Sequence, residues 1–232
     1  MNIRAGTSGF SYKEWKGPFY PEDLPASKML GFYAGRLPSV EINNTFYRMP
    51  NRTTLAGWAE QTPDDFQFVL KASQKITHRK RLKDVEEELD YLIPTMQELG
   101  KKLGPTLIQL PPFLKKDLDR LDTFLELLPD GFRAAFEFRN ASWFDDEVYA
   151  SLRTHGQSLV IADSGKEELL EVAATAPFAY VRLRKEDYSD DDLHDWMKRL
   201  RGLPVDDLYV FFKHEDAGAG PRMAERFLEM AE

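Results

Sequence analysis

The chain has 232 residues, 42% of them hydrophobic and 30% charged, with no cysteine and a formal net charge of −8. That length fits one large domain or two small ones and can bury a sizeable core. Without cysteine, disulfides, thiolate metal ligands and a cysteine nucleophile are excluded, and the acidic balance argues against a protein that coats nucleic acid nonspecifically.

No apolar run is long enough to span a bilayer, so no membrane partner is expected. The opening MNIRAGTSGF lacks the charged-then-apolar layout of a signal peptide, and a cytoplasmic location is the expectation. Short apolar, β-branched or aromatic runs then alternate with stretches of helical period. A strand near Ile3–Thr7 precedes a helix over Ser27–Leu37, and a strand at Val40–Asn43 precedes a helix over Arg52–Gln61. The strand Phe66–Lys71 leads to a long helical stretch, Leu82–Leu103, which Pro94 should kink or split. The pairs continue with Thr106–Leu110 and Asp117–Leu128, then Arg133–Phe138 and Asp145–His155, then Ser158–Asp163 and Lys166–Thr175. They end with Phe178–Leu183 and Asp190–Leu200, then Leu208–Phe212 and Arg222–Met230. No Pro/Gly/Ser-rich linker divides them. Eight strand–helix units in one undivided chain predict an α/β fold, a (β/α)8 TIM-type barrel forming a single domain over 1–232. The alternative is an open doubly wound sheet, which usually carries a Gly-rich phosphate loop after its first strand. GTSGFSYKEW has neither the dinucleotide nor the P-loop spacing.

The strand SVEINNTFYRMP begins as core and ends on polar groups. Residues two apart share a face, so Val40 and Ile42 should pack on helices while Glu41 and Asn43 point into the barrel. By the same parity Ala135, Glu137 and Arg139 turn in, as do Tyr180, Arg182 and Arg184. Other strands end on Lys71, Gln109, Asp163 and Lys213. Polar residues therefore gather at the C-terminal strand ends, where this fold builds its sites. The cations Lys71, Arg139, Arg182, Arg184 and Lys213 outnumber Glu41, Glu137 and Asp163 by two. The loop KASQKITHRKRLK adds Lys75, His78, Arg79, Lys80 and Arg81 nearby, although DVEEELD can offset it as a solvated charge run. A phosphate- or carboxylate-bearing ligand, a small molecule or an oligomer, is the expected partner.

Five ordered stretches, GTSGFSYKEWKGPFYP, VEINNTFYRMP, W…TPDDFQFVLKAS…TH, LGPTLIQLPPF and FEFRNASW, resemble the YecE-like family of domains of unknown function. The resemblance runs from Thr7 to about Asp163 and more loosely to the end. It implies a single TIM-type barrel and no particular reaction. It also implies a pocket lined by Glu41, Asn43, Thr45, Tyr47, Arg48, Lys71, His78, Gln109, Glu137 and Arg139, with Trp143, Asp163 and Arg182 matching in the same way. Two positions depart from the family. A His-Gly commonly follows the Arg of strand seven, where this chain has Arg184-Lys185. Two Asn commonly end strand eight, where it has Lys213-His214. Both departures add cations to that side of the pocket.

Glu41 and Glu137 could serve as acid and base, or as acid and nucleophile in glycoside cleavage. A flanking Arg139 should hold Glu137 ionised, which suits a base; Asp163 is a third candidate. With four His in the chain, and only His78 and His214 near the mouth, a multi-metal site is not expected. One Mg2+-type ion on Glu41, Glu137 or Asp163 stays open, and no organic cofactor is expected. Ser142 reads as a helix N-cap. The loop aromatics Phe10, Tyr12, Trp15, Phe46, Tyr47, Trp143 and Phe144 could stack on a sugar or base, or simply plug the barrel top. The expectation is an enzyme of hydrolase or lyase type acting on an anionic polar ligand. A nucleic-acid-binding or repair-associated protein and a non-catalytic binding barrel are the alternatives.

Overall fold

A computed structural model of the chain describes residues 1–164, 170–213 and 218–231. Its strands are β1 (Asn2–Ser8), β2 (Ser39–Ile42), β3 (Gln67–Leu70), β4 (Thr106–Gln109), β5 (Ala134–Glu137), β6 (Ser158–Asp163), β7 (Phe178–Leu183) and β8 (Asp207–Phe212). Its α-helices are α1 (Met29–Ala34), α2 (Arg52–Glu60), α3 (Glu86–Met96), α4 (Leu118–Glu126), α5 (Asp146–Thr154), α6 (Asp190–Arg201) and α7 (Ala219–Glu229). All strand pairings are parallel, in the order β3-β2-β1-β8-β7-β6-β5-β4. Two isolated bridges, Phe68 with Leu103 and Lys71 with Leu107, bring β3 to β4 and nearly close the barrel.

Strand parity sorts the apolar residues into two cores. Val69, Leu107, Ala135, Val160, Ala162, Phe178, Tyr180, Tyr209 and Phe211 fill the barrel. Val40, Ile42, Phe136, Phe138, Val181 and Leu183 pack outward in the layer beneath the helices. This is the period-two alternation that a barrel wall requires. The N-terminal end is plugged by Arg133, whose guanidinium reaches Asp207 at 3.3 Å and lies 5.6 Å from the rings of Phe178 and Tyr209. A cation over aromatic faces with a carboxylate partner is a satisfied way to seal a barrel floor.

Side-chain caps start several helices. Asn51, Asp117 and Asp145 accept from backbone N–H groups at the starts of α2, α4 and α5. Ser189 and Asp192 form a reciprocal capping box on α6. Ser142 does not cap: Asn140 caps the short turn Ala141–Trp143, and the Ser142 hydroxyl instead accepts from the Lys116 N–H at 2.8 Å. At the other end of α2, the buried Lys102 ammonium donates to the Thr62 carbonyl at 2.7 Å and the Ala59 carbonyl at 2.5 Å. It thereby satisfies carbonyls that a helix terminus leaves open.

Two expected helices differ. Pro94 lies within α3, which continues to Met96; the break comes afterwards, in a short 3-10 stretch (Gln97–Lys102) where Gly100 has φ 54°. Of the expected helix Lys166–Thr175, residues 170–175 are not helical, and 166–169 fall outside the described residues. No described helix is long and apolar enough to cross a membrane.

Gly6 sets how closely β1 approaches β2. A Cβ at this position would lie 1.9 Å from the Ser39 carbonyl oxygen, and this approach brings Ser8 into register with Glu41. Gly6→Ala is expected to cost about 1–3 kcal/mol through forced strand separation. A lowered urea midpoint would show it; an unchanged midpoint would mean that the strands yield freely.

Candidate functional site

The inward residues at the C-terminal strand ends form one connected network. Glu41 closes β2, Glu137 closes β5, and Arg182 stands near the end of β7. Arg182 bridges the two carboxylates, Nη2 to Glu41 Oε1 at 2.8 Å and Nη1 to Glu137 Oε2 at 2.5 Å. All three are essentially inaccessible, at 0%, 2% and 2% exposure for Glu41, Glu137 and Arg182. Glu41 Oε1 also accepts from Ser8 Oγ at 2.6 Å and Asn43 Nδ2 at 2.8 Å, while Oε2 accepts from the Tyr180 hydroxyl at 2.5 Å. Arg184, half-buried, reaches Glu137 Oε1 at 3.2 Å.

The electrostatics follow from these contacts. Burial pushes the Glu41 carboxyl up, but Arg182 and the three hydrogen bonds outweigh it and hold the pKa at about 2. Glu137 is likewise opposed by burial and held below its ordinary value by Arg182, Arg184 and a hydrogen bond from Gln109. Burial and the Glu41 charge push the Tyr180 phenol up, so it remains a donor. Two carboxylates facing two guanidiniums make a neutral buried unit, which a low-dielectric interior demands.

Beside this unit sits Lys71, just past the end of β3. Its ammonium donates to Gln109 Oε1 at 2.8 Å and lies 4.4 Å from the Phe46 ring centroid. Burial and Arg182 push its pKa down to about 8. Thr45 fixes the local backbone by donating to the Lys71 carbonyl at 2.7 Å. The segment Lys75–Arg79 forms a π-helical turn, a form often found at functional sites. It places the His78 ring edge-on to Phe46 with 4.9 Å between centroids. Burial, Lys71 and Arg139 all lower the His78 pKa.

The structure thus brings together Glu41, Asn43, Lys71, Gln109, Glu137, Arg182 and Arg184, with Thr45 and His78 adjoining. Asp163 lies on the same rim but is held by Lys185 at 3.2 Å and by the Tyr188 hydroxyl at 3.1 Å. Other expected lining residues are placed differently. Trp143 is fully buried, stacked on the outward-facing Phe138 with its indole N–H on the Leu114 carbonyl, so it supports the wall from behind. Tyr47 is 73% exposed, and Arg48 lines a side groove with Pro50, Asn51 and Tyr91. Arg139 and Lys213 are exposed at the rim, and His214 lies outside the described residues. Glu137 pairs with Arg182 and Arg184 rather than with Arg139, because β5 ends at Glu137 and the chain has left the strand two residues later. Among the described residues no three His or carboxylate side chains converge as a metal site. Ser8 was not evident as a site residue. Its signal is the shared one: inward parity at the C-terminal end of a strand.

A cavity of about 630 Å3 lies at the opposite, N-terminal end, beside Arg133, His155 and Asp207. The mouth is the better candidate because it concentrates buried charge where parallel barrels build their chemistry.

The chain is similar to known proteins in sequence and in fold. The chain is 31% identical to UPF0759 protein YecE of Escherichia coli over 57% of its own length and 51% of YecE, so it matches about half of that relative. It is 26% identical to UPF0759 protein YunF of Bacillus subtilis, over 91% of this chain and 89% of YunF. A crystal structure of a DUF72 family protein from Thermotoga maritima superposes with a TM-score of 0.87 at 29% identity, covering 100% of this chain and 99% of that one. A DUF72 protein from Enterococcus faecalis gives 0.75 at 20% identity, with coverage of 99% and 97%, and speaks for the fold alone. The family model described as "Protein of unknown function DUF72" matches residues 4–232, and the chain belongs to that family.

Proposed function

We propose that the protein is an enzyme of hydrolase or lyase type. It would act without an organic cofactor on a polar ligand bearing phosphate or carboxylate, at the C-terminal mouth of the barrel. One observation carries this reading. The buried carboxylates are already neutralised by Arg182 and Arg184, while Lys71 has no carboxylate ion-pair partner among the described residues. The next cations outward, Arg139 and Lys213, are exposed. A ligand approaching the mouth therefore meets uncompensated positive charge, which favours an anion.

The two glutamates take different roles in this reading. Glu41 receives four hydrogen bonds and serves to orient Arg182. Glu137 is the acid–base candidate, because its Oε1 is covered by the half-exposed Arg184. An anion that draws Arg184 outward uncovers that oxygen and raises the Glu137 pKa toward the useful range. Asp163 is a rim group that holds Lys185. A nucleic-acid ligand draws less support, since Lys75 and Lys80 of the basic loop are both committed to Glu88.

Arg184→Gln is expected to weaken binding of inorganic phosphate or citrate about tenfold, equivalent to roughly 1.4 kcal/mol, and to lower the melting temperature modestly, because Glu137 keeps only Arg182 as a partner. Isothermal titration of the variant against the parent checks this. Unaltered affinity for both anions would remove the reading.

A further inference from the structure

We propose that Lys71 is a catalytic amine that forms an imine with the carbonyl carbon of a short oxo acid, a carboxylate- or phosphate-bearing ketone or aldehyde. The inference rests on the anion-binding reading above and names the chemistry of its ligand.

The geometry argues for an amine rather than a simple anion clamp. Ion pairing would keep a lysine protonated, yet the Lys71 ammonium pairs with no carboxylate among the described residues. It contacts a neutral amide oxygen, Gln109 Oε1 at 2.8 Å, and the face of Phe46. Those neighbours are weak at stabilising a proton. Burial and the Arg182 charge push its pKa down to about 8, outweighing the opposing pull of Glu41 and Glu137. On the order of a hundredfold more free amine is then present at neutral pH than for a solvated lysine. Burial beside a like charge is a recognised way to activate a lysine toward carbonyls.

Gln109 fixes the orientation. Its oxygen accepts from Lys71 while its side chain hydrogen-bonds Glu137. The amine is thereby aimed from the barrel wall with a carboxylate one side chain away. Arg184 and the exposed Arg139 lie on the Glu137 side, where the acid group of the ligand would rest. Lys75 and Lys80, four and nine residues on, are instead ion-paired to Glu88.

The step balances without a redox partner. The Lys71 lone pair forms a C–N bond, and the carbonyl π pair moves to oxygen, which takes a proton. Nitrogen gives up one hydrogen, its pair then expels the protonated oxygen as water to leave a protonated imine, and the second nitrogen hydrogen leaves last. One carbonyl and one amine give one C=N bond and one water. The imine draws electrons from the adjacent carbon, which suits the lyase half of the proposed class.

The test uses the intact protein with pyruvate or glyoxylate and sodium borohydride, whose hydride reduces the C=N bond to a stable secondary amine. Peptide mass spectrometry maps the adduct. The expected result is roughly tenfold more adduct on Lys71 than on Lys75 or Lys80. Labelling should fall when excess phosphate competes, and Lys71→Arg should lose it while keeping its far-UV spectrum. Equal labelling of all three lysines, with phosphate still raising the melting temperature, would overturn the imine and keep the anion site. No preference and no phosphate effect would overturn both.

Discussion

Arg182→Ala is expected to destabilise the fold by about 3–5 kcal/mol, the usual consequence of removing one partner from a buried ion pair. The cause is not the loss of attraction as such. Glu41 and Glu137 are sealed from water, and deleting the guanidinium leaves Glu41 with no cation and Glu137 with Arg184 alone, with no water to solvate them. In a domain of this size the melting temperature should fall by roughly 10 °C. Arg182→Met combined with Glu41→Gln and Glu137→Gln should recover much of that loss, because the triple change removes the stranded charges along with their partner. Thermal melts followed by circular dichroism separate the cases. A single Arg182→Ala variant within about 1 kcal/mol of the parent would mean that the carboxylates are hydrated or protonated, and the neutral-unit description would fail.

Acid unfolding should report the same unit from the other partner. The Glu41 carboxyl is held at about 2, against an ordinary value of 4.5. For a carboxylate whose folded pKa is depressed, the stabilisation is fully present above the unfolded value. It is lost as the pH falls through the window from 4.5 towards about 2. Glu137 shifts in the same direction. Glu41 alone is worth roughly 3 kcal/mol over that window. The urea midpoint should therefore be flat from neutral pH down to about 5 and fall steeply near pH 3. Glu41→Gln should lower stability at neutral pH and flatten the acid slope. Glu88, paired with the partly exposed Lys75 and Lys80, also titrates low, so Glu88→Gln is the control. Added salt should weaken the Glu88 contribution and spare that of Glu41, since buried pairs are poorly screened. A parent protein with no slope between pH 5 and about 3 would sink the assignment.

Much of the architecture was legible in the residues themselves. Short apolar, β-branched or aromatic runs located all eight strands, and parity turned Glu41, Glu137 and Arg182 inward while Val40, Phe136 and Val181 went to the helices, as the structure has them. The polar-last pattern located the mouth. What parity could not give was depth. Arg182 and Arg139 both stand near strand ends on inward positions, yet one is buried between two carboxylates and the other is exposed. The difference is that β7 runs through Arg182 to Leu183, whereas β5 stops at Glu137. Strand length beyond the polar residue thus separates a cation that completes the network from one that stands exposed at the rim. Ser8 was hidden because a hydroxyl carries no charge to draw notice. Pro94 does not itself end α3: proline removes one backbone hydrogen bond, while six buried residues from Glu88 to Met96 keep the helix packed until it breaks after Met96.

The join between β3 and β4 also bears on Lys71. Most neighbouring strands are laced by three or more consecutive partners and β5–β6 by two, but here only two isolated bridges join the strands, and Lys71 itself forms one of them. The Ala72 N–H on the Leu107 carbonyl and the Gly104 N–H on the Phe68 carbonyl are the rungs available. Amide hydrogen exchange should therefore be faster at this join than across β1–β8 or β7–β8, because fewer bonds must break for it to part. Lys71 thus stands at a loosely stitched seam of the wall, moored on its other side by its N–H on the Ile42 carbonyl.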